Sequence, residues 1–157
     1  MDKQLILVVE DEVEYAEKVV EVVRGTGKYN AIAANSGEEA LEILKQNKGV
    51  FGVFPNRIRC ILLDIKMPGM DGLEFLGKVR KDYDTSIRVI ILTAYEDYEK
   101  WDKALDGLVA GYLKKPYDRD ELISRIDRLF KNDESAGKMV SETLVEGVEA
   151  MEKLENH

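Results

Sequence analysis

Residues 59–74 read Arg59-Cys60-Ile61-Leu62-Leu63-Asp64-Ile65-Lys66-Met67-Pro68-Gly69-Met70-Asp71-Gly72-Leu73-Glu74. The first five are a short run rich in Ile and Leu, with the length and composition of a buried strand. Pro68-Gly69 is turn chemistry, and Asp71 with Glu74 sets a capping side chain three residues ahead of a carboxylate, which starts a helix. Leu73, Leu76 and Val79 then recur at helical spacing. An apolar strand that turns directly into an amphipathic helix is one βα unit of a parallel sheet. Asp64 stands at the junction, where an acid can be simply the first residue of a loop or something more.

The pattern repeats in both directions. Apolar runs at 5–9, 30–34, 88–93 and 111–113 join 59–63 as five predicted strands. Val13, Ala16, Val19, Val20 and Val23 predict a helix after the first strand, and Leu122, Ile126, Leu129 and Phe130 one after the last. Ser36 with Glu39 and Asp118 with Glu121 repeat the capping signature. Tyr98, Trp101 and Leu105 share a helical face that reads as core. Strands alternating with helices imply an α/β, doubly wound five-stranded parallel sheet with helices on both faces. Two segments exceed that plan. The 46–58 connection, with Phe51 and Phe54, is longer than the usual 2–6 residues or so and is expected to be an irregular loop or small hairpin. Beyond a polar linker at 132–137, Val140, Leu144, Val148 and Met151 form the stripe of an extra C-terminal helix.

A length of 157 residues suits one domain of 3–131 plus an appendage, 132–157, made of that linker and amphipathic helix. The stripe is expected to pack against the domain or against a second copy, which would make a homodimer. A net charge of −8 repels phosphate backbones and anionic lipid, so neither direct nucleic-acid binding nor membrane attachment is expected. No apolar run approaches a membrane span, and the one at the N-terminus is too short for a signal peptide, which points to the cytoplasm. With one cysteine, Cys60, and one histidine, His157, the chain excludes an internal disulfide, a Cys/His metal cluster and a Ser-His or Cys-His pair.

In open α/β sheets ligands bind beyond the carboxyl ends of the strands. Here those ends carry Glu10-Asp11-Glu12, Asp64, Thr93 and Lys114-Lys115-Pro116. Acids gathered in a crevice repel unless a cation neutralises them, and oxygen ligands favour magnesium over zinc. A carboxylate beside such an ion, with an ammonium near it, is a candidate nucleophile for phosphoryl transfer, and Asp64 is placed for that role. Taken singly, Asp11 and Glu12 would equally suit capping of the first helix, Thr93 an ordinary strand, Lys115 the surface and Tyr112 edge packing.

Four motifs in order, Leu7-Val8-Val9-Glu10-Asp11-Glu12, Leu62 through Gly72, Ile91-Leu92-Thr93-Ala94 and Lys115-Pro116, resemble the receiver domains of two-component response regulators. The resemblance implies a flavodoxin-like strand order of 2-1-3-4-5. It also implies Asp64 as phosphoryl acceptor, Asp11 as a direct magnesium ligand, Glu10 as the second acid acting through metal-bound water, and the Lys66 carbonyl as a further ligand. Thr93 matches the hydroxyl that moves onto the phosphoryl group and Lys115 the lysine that pairs with it, its proline commonly joined by a cis bond. Tyr112 matches the aromatic that turns inward with Thr93. Glu10 departs mildly, since that acid is more often Asp. The implied protein is a signalling switch rather than a metabolic enzyme: a histidine kinase or phosphotransfer protein donates to Asp64, and the affinity for an unnamed downstream target changes. Two other readings compete. A magnesium-dependent phosphatase using an aspartyl-phosphate typically needs a second acid two residues after the nucleophile, where this chain has Lys66; a phosphorylation-independent interaction module would not need Asp11, Asp64, Thr93 and Lys115 together.

Overall fold

Ile6, Leu7, Val8 and Val9 are all buried, as consecutive strand residues are only when both faces of the sheet are covered. They belong to β1 (Gln4–Val9) in a computed structural model that describes residues 3–49, 56–83, 86–94 and 109–131. The chain continues through α1 (Val13–Gly25), β2 (Tyr29–Ala34), α2 (Gly37–Gln46), β3 (Ile58–Asp64), α3 (Gly72–Asp82), β4 (Arg88–Thr93), β5 (Gly111–Lys114) and α4 (Arg119–Lys131). The five strands form one sheet in the order β2-β1-β3-β4-β5. The described residues fall in two compact units, one running to Arg88 and one from Val89.

In the first unit, β1 lies between its parallel partners β2 and β3. The buried and less buried residues of β2 are interspersed, as suits an edge strand, whereas β3 is buried at every position but Arg59. Phe75, Leu76 and Val79 of α3 and Ala16, Val19 and Val23 of α1 are buried, completing that core. Val13 departs from the expected apolar stripe. It is 51% exposed, because the first residue of α1 stands past the strand end with no preceding helical turn to pack beside. Val20, Leu73 and Phe130 are half-buried rather than core.

All three predicted caps form. Ser36 Oγ accepts from the Glu39 N–H at 3.0 Å, Asp71 Oδ1 from Glu74 at 2.9 Å, and Asp118 Oδ1 from Glu121 at 2.8 Å. At the other end of α2, the buried Asn56 donates from Nδ2 to the Leu44 carbonyl at 2.7 Å and accepts from the Ile58 N–H at 2.9 Å, so the chain enters β3 tied to that helix. The Phe51 and Phe54 loop, the Tyr98-Trp101-Leu105 helix and the C-terminal stripe lie outside the described residues. Among the described residues no helix is long and apolar enough to cross a membrane.

Candidate functional site

Strand register determines which acids meet. Leu5 pairs with Ile58, but Ile6 pairs with Cys60, so β3 carries one extra residue at this point. The shift leaves Val9 opposite Leu63, and the next residue of each strand is an acid: Glu10 and Asp64 come level. Without it, Glu10 would face Leu63. Both acids are buried, Glu10 to 3% exposure and Asp64 to 8%, while Asp11 is half-buried. One carboxylate oxygen from each of Glu10, Asp11 and Asp64 lies within 4.8 Å of the others.

Three carboxylates so close are a donor set for a hard cation. Oxygen ligands at the magnesium distance span about 4 Å across the ion, so this cluster can supply direct ligands with a water completing the remaining reach. The backbone adds fixed hydrogen bonds: Asp64 Oδ1 accepts from the Lys66 N–H at 3.2 Å and Glu10 Oε1 from the Glu12 N–H at 3.3 Å. Helix capping does not account for these acids. Glu12 occupies the N-cap of α1 yet its side chain makes no cap hydrogen bond.

The turn after Asp64 holds its place through close backbone contact. The Gly72 N–H donates to the Ile65 carbonyl at 2.8 Å, and a Cβ on Gly72 would stand 2.5 Å from the Asp64 carbonyl oxygen. Gly69 has φ +72°, the left-handed region that glycine enters freely. Met70 lies over the first residue of α2, where a Cβ on Gly37 would meet Sδ at 2.7 Å. Lys66 is exposed.

In the second unit, β4 and β5 pair in parallel with Thr93 opposite Lys114, so Lys115 follows one residue beyond Thr93. The Lys115–Pro116 bond is cis, as the resemblance implies. Tyr112 is half-buried on β5, opposite Ile91. In the first unit Cys60 is a buried free thiol, and its complete burial pushes its pKa up to about 12. Sequence reasoning missed Asn35, whose Nδ2 donates to the Glu10 carbonyl at 3.0 Å. An asparagine directly before a helix cap is the only signal it left.

A family model for the response regulator receiver domain matches residues 6–127. The transcriptional regulatory protein CrdR of Helicobacter pylori is 35% identical over 133 residues, 85% of this chain and 57% of that protein. The DNA-binding response regulator MtrA of Mycobacterium tuberculosis is 30% identical over 140 residues, 88% of this chain and 56% of that one. The chain thus spans just over half the length of these two regulators. Among solved structures, the chemotaxis protein CheY4 of Vibrio cholerae aligns with a TM-score of 0.71 at 25% identity, over 82% of this chain and 100% of that one. A putative response regulator from Chloroflexus aurantiacus aligns with a TM-score of 0.68 at 28% identity, over 83% and 100%.

Proposed function

The chain belongs to the response regulator receiver family, and from that premise we propose that it accepts a phosphoryl group on Asp64 and switches its affinity for a partner. The observation that carries the reading is the meeting of Asp64 with Glu10 and Asp11 at the carboxyl ends of two central strands. Magnesium is the cation proposed for them, with Asp11 and Asp64 as direct ligands, Glu10 acting through water and the Lys66 carbonyl completing the protein's share. When bound, the ion neutralises charge between the carboxylate and an incoming phosphoryl group. Asp64 attacks phosphorus; the donor's bond to phosphorus breaks and the donor leaves with that electron pair. Lys115 is assigned to pair with the transferred group and Thr93 to bond it, with Tyr112 following Thr93.

A histidine kinase or phosphotransfer protein is the proposed donor, and a target that recognises the altered surface the proposed recipient of the signal. The protein acts as a switch whose own side chains supply the transfer chemistry, so a small acyl phosphate should also serve. Incubation with magnesium and such a donor should raise the intact mass by one phosphoryl group, and Asp64→Asn should abolish the gain, since an amide is a poor nucleophile. Normal labelling of that variant would overturn the assignment. Steady turnover of a chromogenic phosphate ester would favour a phosphatase instead.

A further inference from the structure

The peptide that joins Glu10 to Asp11 sets the direction of both side chains, and it lies just past the last paired residue of β1. Two hydrogen bonds from the β2–α2 side hold Glu10 at both ends. Its N–H donates to the Ala34 carbonyl at 3.0 Å, and its carbonyl accepts from Asn35 Nδ2 at 3.0 Å. Asn35 is itself fixed, since its N–H donates to Glu39 Oε2 at 3.0 Å. The first bond continues the strand ladder. The second is a side-chain bond made as the chain leaves the sheet for α2, and it fixes ψ of Glu10 and φ of Asp11 together.

We propose that Asn35 is a positioning residue: its amide orients the Glu10–Asp11 peptide so that both carboxylates are held in place for the cation they share with Asp64. The inference rests on the reading of those acids as a magnesium site. Asn35 contributes no ligand. Its effect is on how much of the time the two acids point together, which governs affinity for the ion and not the chemistry once the ion is bound. Ser36 supplies the contrast, because it caps the same helix without touching Glu10.

Calorimetric titration with magnesium, the melting temperature and labelling by a small acyl phosphate are measured for the parent, Asn35→Ala, Ser36→Ala and Asp11→Ala. Asn35→Ala should bind magnesium about tenfold more weakly, as loss of an outer partner of a metal site commonly does. Its half-maximal labelling should need correspondingly more magnesium, and at saturating magnesium the parent rate should return. Ser36→Ala should melt lower yet keep the parent affinity. Parent-like affinity in Asn35→Ala alongside weakened binding in Asp11→Ala would overturn the positioning role and leave the acid site standing. Equal weakening in Ser36→Ala would overturn it too, by showing that anchoring of α2 is all that matters. If Asp11→Ala also binds as the parent does, the site reading falls and the positioning role with it.

Discussion

Of the three turns that leave the sheet at its carboxyl edge in the first unit, those after β1 and β3 treat their acids differently. After β3 the chain spends seven residues before α3, and a dedicated carboxylate, Asp71, caps the helix. After β1 it has only Glu10, Asp11 and Glu12 before α1, and the residue at the N-cap makes no side-chain cap. Capping by Asp71 leaves Asp64 free of that structural duty, whereas the short turn keeps Glu10 and Asp11 at the strand end, level with it. An acid three residues ahead of the N–H it bonds is structural; an acid that closes a buried strand and caps nothing is available for chemistry.

The largest effect should come from closing the gap that the longer turn requires. A Cβ on Gly72 would strike backbone, at 2.5 Å from the Asp64 carbonyl oxygen and 2.6 Å from the Ile65 Cα, with no flexible side chain to move aside. Gly72→Ala should therefore destabilise by about 3 kcal/mol and slow labelling of Asp64 even in the folded fraction. Denaturant melts together with labelling by a small phosphodonor test both parts; parent-like values would show that α3 does not need to approach β3 this closely.

Below both turns lies the pair Ile6 and Cys60, where the register shifts. Burial raises the Cys60 thiol from its ordinary 9.0 to about 12, so as pH climbs above 9 the unfolded chain loses this proton first. The folded state then holds more protons than the unfolded one. Stability contributed by the neutral thiol is complete below pH 9 and should decline at up to about 1.4 kcal/mol per pH unit until the folded thiol itself ionises. Cys60→Ala should lose this component of alkaline destabilisation, although at neutral pH it is slightly weakened by the lost volume. Chemical denaturation of both proteins across that range should show the curves converging.

Asp71 and Asp11 offer the direct contrast between the two kinds of acid. Asp71→Ala removes a cap bond and should cost about 1 kcal/mol of stability with magnesium affinity unchanged. Asp11→Ala should do the reverse, and in the absence of metal it should not destabilise, since it relieves repulsion among clustered carboxylates. Paired melting curves and magnesium titrations decide this. A loss of affinity in Asp71→Ala equal to that in Asp11→Ala would erase the distinction.

The fold was legible because burial on both faces of β1 and β3 shows as unbroken Val, Ile and Leu runs, and because Ser36, Asp71 and Asp118 mark helix starts by local chemistry. Two acids of the site were legible for the same reason: Glu10 and Asp64 each interrupt an apolar run at its end, and Asp11 directly follows Glu10. What stayed hidden depends on residues distant in sequence. Asn35 lies 25 positions from the carbonyl it holds, and Asn56 reaches back 12 positions to Leu44. The register shift at Ile6 is equally invisible, since a strand's side-chain alternation gives no sign of which partner residue it faces. Val13 misled because periodicity records a helix face but not where the helix begins relative to the sheet.

The smallest effect concerns the unused cap. Glu12 has extended backbone angles, φ −75° and ψ 104°, and its carbonyl already accepts the first helical bond, from the Ala16 N–H at 2.9 Å. Its side chain is one methylene longer than the residues that favour this position. Glu12→Asp keeps the charge that suits the helix dipole and the field around the acids, and it brings a carboxylate oxygen within reach of the Glu14 or Tyr15 N–H. The variant should gain about 0.5 kcal/mol, raising the melting temperature by roughly 1–2 °C for a chain of this size. Magnesium affinity and labelling should hold at parent values, because position 12 is outside the cluster of Glu10, Asp11 and Asp64. A gain in stability with intact labelling would show that the short turn leaves helix capping undone; an unchanged melt would show that its geometry forbids the cap, and lost labelling that Glu12 belongs with the functional acids.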